Sequence, residues 1–110
     1  MLEVTERHIG GILVLELTGR VDLAAARDLD TRLGALPHTT ATRVVLDLAQ
    51  LTYLSSLGLR AILMAAKAAH AARGKLVLCS PNAEIKRLFD VAFANVFEIY
   101  PSREAALAAL

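Results

Sequence analysis

The segment Tyr53–Arg60, YLSSLGLR, places two adjacent hydroxyls and a glycine among apolar residues. Three kinds of chemistry are open to such hydroxyls. A serine at the start of a helix can cap it by accepting a hydrogen bond from a free backbone N–H group. A serine between a strand and a helix can be a nucleophile, and a serine in the first helical turn can carry a phosphate. Ser55 and Ser56 are the candidates for each role.

The glycine pattern disfavours a hydrolytic serine. The nucleophile elbow G-x-S-x-G needs a glycine two residues before the serine, but Leu54 holds that position relative to Ser56. The pattern also gives His8, His38 and His70 no evident reason to lie beside the serines. The phosphate-binding patterns G-x-x-x-x-G-K and G-x-G-x-x-G are absent from the sequence. We therefore expect neither an enzyme nor a bound cofactor.

The bulk composition fits one domain spanning residues 1–110. Hydrophobic residues make up 55% of the chain, enough for a genuine core, and the net charge of +1 offers no footprint for nucleic acid or an anionic membrane. The single cysteine, Cys79, excludes an internal disulfide and a cysteine-rich metal site. No apolar run reaches the ~20 residues of a membrane span, and the charged N-terminal residues are unlike a signal peptide. These features predict a cytoplasmic protein.

Hydrophobic periodicity predicts an α/β fold with the order β-β-α-β-α-β-α-β-α along the chain. Gly10-Gly11 between the first two strands is typical of a tight hairpin. The later alternation of strands and helices indicates parallel pairing, so we expect a mixed, mostly parallel sheet. The predicted strands are Leu2–Arg7, Ile12–Thr18, Arg43–Leu48, Lys75–Cys79 and Val96–Tyr100.

Several residues mark expected element boundaries. Asp22 is a candidate N-cap for the first helix. Gly74 is expected to end the second helix in the left-handed conformation, and Ser80-Pro81 to begin the third. Asp47, late in an apolar strand, is expected to face solvent or bond to a loop. The serines then follow a strand at the carboxyl edge of the sheet, where open α/β sheets tend to engage partners.

A phosphate on one of these serines would act as a switch. At the first turn of a helix it meets the positive end of the helix dipole and free N–H groups, so the fold tolerates it. A partner docked on the same surface would instead meet roughly 1.5 to 2 new negative charges that are strongly solvated. Position alone leaves capping and switching both open.

Three motifs give the chain a resemblance to the STAS domain family, and specifically to the small bacterial anti-sigma-factor antagonists. Leu46–Leu63, LDLAQLTYLSSLGLRAIL, is similar to the family signature of a strand, Asp-Ser-Ser-Gly-Leu or a variant, and a helix. LTGRVD at Leu17–Asp22 resembles the turn before the family's first helix. SPNAEIKRLFDVAFANVFEIYPSREAAL, residues 80–107, resembles the C-terminal block. The similarity covers essentially the whole chain.

The resemblance implies a phosphorylation-controlled partner switch in bacterial transcription regulation. Alignment on Gly58 makes Ser56 the phosphoacceptor and Asp22 the acidic residue of the neighbouring loop. The unphosphorylated chain would bind an anti-sigma factor with GHKL-type serine kinase activity and release its sigma factor. Phosphate on Ser56 would eject the kinase, and a PP2C-type phosphatase would reset the switch. Ser55 replaces the signature aspartate, so a kinase could take either hydroxyl.

The expected docking surface comprises Asp22, Ser55, Leu57, Gly58 and Arg60. Leu57 stands where serine or alanine is commoner in the family; we expect it to be buried as the first core residue of the helix, whereas an exposed Leu57 would be an apolar anchor. Arg60 is expected on the exposed side of the helix, one turn from Ser56. The alternative is a non-switching STAS scaffold or transporter-associated subunit, in which the serine only caps the helix.

Overall fold

In the computed structural model, which describes residues 1–37, 41–93 and 96–110, the chain forms one five-stranded sheet with helices on both faces. The strands are β1 (Leu2–Ile9), β2 (Ile12–Val21), β3 (Arg43–Leu54), β4 (Lys75–Cys79) and β5 (Ile99–Tyr100), and the helices are α1 (Leu23–Gly34), α2 (Ser56–Ala71), α3 (Ala83–Phe93) and α4 (Arg103–Ala109). The strands lie in the order β1-β2-β3-β4-β5. Of the described pairs, β1 with β2 is antiparallel and the others are parallel. The predicted fold class and element order are confirmed.

The sheet separates two hydrophobic cores. Helices α1, α2 and α3 cover one face, where Leu29, Ile62 and Phe89 are fully buried against the strands. Helix α4 covers the other face through Ala106. The central strands are therefore buried on both sides, which explains their near-continuous apolar runs. Among the described residues, no helix combines the length and apolarity that crossing a bilayer requires.

The opening hairpin follows from its two glycines. Gly10 and Gly11 adopt φ values of +56° and +81°, a pair of left-handed conformations that two-residue hairpin turns require and that side chains disfavour. The register then runs from Ile9 opposite Ile12 to Leu2 opposite Gly19. The predicted hairpin is confirmed.

Strand β3 is longer than the sequence pattern predicts. The pattern ends it at Leu48, whereas the strand continues to Leu54. Its first part, Arg43–Asp47, pairs with β4 and largely with β2 as well. Of the described strands, β2 alone pairs with the part from Gln50 to Leu54. The register between β2 and β3 shifts twice, so the second part loses the simple alternation that identifies a strand. This extension carries the chain to the serine segment.

Other predicted boundaries were also wrong: β1 continues to Ile9 and β2 to Val21. Gly74 does not hold the left-handed position after α2; Arg73 does, with φ +62°. Helix α3 begins after Asn82, whose Oδ1 accepts from the N–H of Ile85 at 2.9 Å, so Asn82 and not Ser80 provides the cap. The final strand is confined to Ile99–Tyr100. The predicted loop residue His38 lies outside the described residues.

Asp47 was expected to face solvent or to bond to a loop; it is buried, so the first of these alternatives was wrong. Its Oδ2 accepts from Nε and Nη2 of Arg103 at 2.9 and 2.8 Å, and its Oδ1 accepts from the N–H of Ala49 at 3.0 Å. Arg103 also pairs with Glu16 on β2. Because 56 residues separate Asp47 from Arg103, no local pattern predicts this ion pair. In the fold, Arg103 at the start of α4 connects that helix to two neighbouring strands.

Candidate functional site

Ser55 is the N-cap of α2. It is 7% exposed, and its Oγ accepts from the N–H of Gly58 at 3.2 Å. Its own N–H donates to the carbonyl of Val21 at 2.8 Å. Both interactions satisfy backbone groups at the helix start. The capping role considered for the two serines therefore belongs to Ser55.

Ser56 is the first residue of α2, and it is exposed. Among the described residues, its hydroxyl makes no hydrogen bond. The hydroxyl lies where the positive end of a 16-residue helix meets solvent. Of the two serines, this is the one whose oxygen an external enzyme can reach in this structure.

Gly58 allows α2 to begin directly against the sheet. A Cβ at this position would lie 2.5 Å from Cγ1 of Val21 and 2.8 Å from Cδ1 of Leu54. Both side chains are buried, and Val21 is β-branched and stiff. A larger residue would push the first turn of α2 away from the strand ends, so Gly58 has a packing role at the site.

Asp22 caps α1 beside the start of α2. Its Oδ1 accepts from the N–H of Ala25 at 2.8 Å, which confirms the predicted N-cap. The carbonyl of Asp22 also lies 3.5 Å from Oγ of Ser55. Two helix N-termini therefore meet at one edge of the sheet, where Asp22 and Ser56 are both exposed.

Leu57 is 47% exposed, so the expectation that it is buried was wrong. The first core-facing position of α2 is Gly58, one residue later than a buried Leu57 would require. Leu57, Arg60 and Met64 follow one another at spacings of three and four and form the exposed face of α2. Arg60 is exposed, as predicted, and has no ion pair among the described residues.

Sequence reasoning missed two further exposed apolar residues at this surface. Leu23, directly after Asp22, is 64% exposed, and Met64 on α2 is 50% exposed. Hydrophobic residues in helices are ordinarily assigned to the core. Leu23 and Met64 can be recognised as exposed only because they do not lie on the same side of their helices as the buried residues Ala26, Ile62 and Ala66.

A groove of about 590 Å³ separates the start of α2 from α3. Tyr53, Ser56 and Leu59 line one side, and Arg87 and Leu88 line the other. We call it the α2–α3 groove. The ring of Tyr53 also contacts the guanidinium of Arg20, which lies 4.4 Å from the ring centroid.

The two described histidines lie far from the serines. His8 pairs with Leu13 beside the hairpin, whereas the serines adjoin Val21 at the other end of β2. His70 is in the last turn of α2, about 20 Å along the helix from Ser56. No described histidine therefore lies at this edge, and the described residues contain no cluster of three or more potential metal ligands.

Comparison with known proteins gives a consistent result. The family model of the STAS domain matches residues 3–106. A Bordetella bronchiseptica protein, BtrV, provisionally named as an anti-sigma factor antagonist, is 39% identical over 109 residues, which cover 98% of this chain and 94% of that protein.

Two solved structures show the same fold. An anti-sigma factor antagonist assigned in Thermotoga maritima superposes with a TM-score of 0.86 at 15% identity, covering 96% of this chain and 92% of the other. The Bacillus cell fate determinant SpoIIAA in its phosphorylated form gives a TM-score of 0.71 at 16% identity, with coverages of 99% and 98%.

Proposed function

The chain belongs to the STAS domain family, within the group of relatives named as anti-sigma factor antagonists, and from this premise we propose that it is a partner-switching regulator whose switch is phosphorylation of Ser56. One observation carries the proposal. At the edge of the sheet, the exposed Ser56 hydroxyl makes no hydrogen bond among the described residues, while the adjacent Ser55 is buried and supplies the helix cap.

This arrangement lets the modification leave the fold intact. A phosphate on Ser56 displaces no hydrogen bond of the cap, because Ser55 makes that bond. The added charge lies at the helix N-terminus, where the dipole and the free N–H groups favour an anion. Phosphorylation would then change the binding of the partner and leave the hydrophobic core undisturbed.

The proposed docking surface surrounds Ser56. Leu57 and Arg60 project from α2, Asp22 caps α1 beside them, and Ser55 and Gly58 fix the backbone between the two helices. The exposed apolar area of Leu57 supports a partner that buries it, since such area stabilises an interface when it leaves water. A phosphate in the middle of that interface would have to be desolvated, which opposes binding.

The proposed partner is an anti-sigma factor with GHKL-type serine kinase activity, and a PP2C-type phosphatase is the proposed resetting enzyme. The unmodified chain binds the anti-sigma factor and frees the sigma factor; the kinase phosphorylates Ser56 and is expelled. SpoIIAA, a protein with this fold, exists in a phosphorylated form, which supports the same mode of control here.

Incubation with a GHKL-type anti-sigma kinase from the same genome and ATP, followed by intact-mass analysis and site mapping, tests the proposal. We expect one phosphate on Ser56, none on a Ser56→Ala variant, and loss of kinase binding by the phosphorylated chain. Ser55→Ala is the matched control and should still be modified. Phosphate on Ser55 alone would contradict the assigned acceptor. A kinase that binds but transfers no phosphate would favour a non-switching scaffold or a transporter-associated subunit.

A further inference from the structure

One face of α3 lines the α2–α3 groove opposite Ser56. Glu84, Arg87, Leu88 and Val91 all lie on that face, at the three- and four-residue spacings of one helical side. Arg87 is therefore the cation that α3 contributes to the lining of this groove, which Ser56 also lines.

Helix α3 is fixed in place on both sides of Arg87. Ile85 and Phe89, two residues before and after it, are buried in the core at 2% and 0% exposure. At the helix start, Asn82 caps the first turn and also donates from Nδ2 to the carbonyl of Leu51 on β3 at 3.3 Å. The backbone that carries Arg87 is thus anchored to the same strand that leads to Ser56.

Arg87 has no ion pair or hydrogen bond among the described residues. Its neighbour Lys86 differs: its Nζ lies 2.9 Å from Oδ2 of Asp90, one turn along the helix, and it is absent from the groove lining. The two adjacent cations of α3 are therefore distinguishable. Lys86 is already paired with an acidic residue away from the groove, whereas Arg87 faces the groove without a partner among the described residues.

We propose that Arg87 is the intramolecular counter-cation of phosphoserine 56, so that phosphorylation joins the start of α2 to α3 across the groove. This rests on the proposed function, since it takes Ser56 as the acceptor. A guanidinium suits the role because its planar N–H groups can donate two parallel hydrogen bonds to a phosphate. The pairing would hold the phosphate on the α3 side of the edge, in a fixed place for whichever enzyme removes it.

The other charged groups around Ser56 are the same in the wild type and in every variant at position 87. Glu84 lines the groove on α3 and opposes the phosphate, as does Asp22 at the cap of α1. Arg60 lies one turn along α2, and Arg20 is stacked on Tyr53. These groups are unchanged when Arg87 is replaced, so a comparison of variants at position 87 isolates its contribution.

The test is a ³¹P NMR pH titration of the full chain with phosphoserine installed at position 56 during translation. A nearby cation favours the dianion and lowers the second pKa of the phosphate. We expect Arg87→Gln to raise that pKa by about half a unit. Arg87→Lys should raise it less, and Lys86→Gln, the matched loss of one positive charge on the same helix, should leave it nearly unchanged.

Equal pKa values in the wild type and Arg87→Gln would overturn the proposal, because Arg87 would then not stabilise the phosphate dianion. An equal shift in Lys86→Gln would also overturn it, because the effect would then come from net charge and not from Arg87. The phosphoserine is installed without a kinase, so the outcome does not depend on whether the partner switch operates. Failure of the partner switch would instead appear as unchanged anti-sigma factor binding by the same phosphorylated protein.

Discussion

The Oγ atom of Ser55 lies 3.5 Å from the carbonyl oxygen of Asp22, so the N-terminal caps of α1 and α2 touch each other. Each cap also satisfies its own helix, through Ala25 and Gly58. The starts of α1 and α2 are thereby set relative to each other by backbone groups and short polar side chains, which are less variable in position than long ones.

Ser55→Ala should destabilise the protein by about 1 kcal/mol, because the N–H of Gly58 loses its capping oxygen. Ser56→Ala is the matched control and should change the free energy of unfolding by less than about 0.5 kcal/mol, since its exposed hydroxyl bonds to no described residue. Urea denaturation measures both. An equal loss in the two variants would contradict the assignment of the cap.

Gly58→Ala should lower the free energy of unfolding by roughly 1–3 kcal/mol, because the new methyl group would press on Val21 and Leu54. A gain in helix propensity of about 1 kcal/mol opposes this loss. Gly34→Ala is the control: its Cβ would meet no atom within 4 Å, so the propensity gain should be seen alone. Thermal or urea unfolding compares them, and a stabilising Gly58→Ala would refute the packing role.

Leu57→Ala should weaken binding of the proposed anti-sigma kinase about tenfold, through lost apolar burial, while leaving stability within about 0.5 kcal/mol. Ile9→Ala removes a side chain of similar exposure, 39% against 47%, from the hairpin end of the sheet. It should bind as the wild type does. Titration calorimetry with each variant gives the dissociation constants, and equal effects at both positions would remove Leu57 from the interface.

Glu16 should make stability fall at acid pH. Hydrogen bonds from Arg7 and then Arg103 hold the pKa of Glu16 below its ordinary value of 4.5. A carboxylate with a lowered folded-state pKa stabilises the fold above its unfolded pKa, and that contribution is lost as pH falls through the folded value. Urea unfolding from neutral pH down to below the ordinary glutamate pKa should show a smaller acid loss in Glu16→Gln than in the wild type. Parallel curves would contradict this.

Cys79 should react with thiol reagents only after unfolding. Burial, followed by the nearby charge of Asp47, raises the pKa of this thiol to about 11, and its side chain is 0% exposed. The thiolate is the reactive form, so at mildly alkaline pH the folded protein should be modified far more slowly than the protein in urea. The absorbance of an aromatic disulfide reagent follows the reaction. Similar rates in the two states would show that Cys79 is accessible in the folded protein, which would contradict its burial.

Local patterns were sufficient for much of the fold. The paired glycines indicated the hairpin, Asp22 marked the start of α1, and the alternation of strands and helices predicted the sheet class, because each depends on near neighbours in the chain. The strand–serine–helix placement of Tyr53–Arg60 was likewise readable from the sequence.

The features that sequence reasoning missed depend on residues far apart in the chain. Asp47 is buried because Arg103 reaches it from α4. Leu57 is turned outward because Gly58, the next residue, is the one that packs against Val21 of β2. The position of Arg87 opposite Ser56 also arises only when α3 lies across the groove from the start of α2. No local pattern contains such contacts.

Among the described strands, the second half of β3 has a neighbour on one side alone, β2, because β4 pairs with β3 only up to Asp47. Beyond the end of that pairing, the carboxamide of Asn82 holds the peptide of Leu51. Asn82 therefore helps to position the part of β3 that leads to Ser56. Replacing Asn82 with a residue that has no side-chain amide would remove this hydrogen bond and weaken the attachment of the strand segment that leads to Ser56. It would leave every atom of the proposed docking surface unchanged.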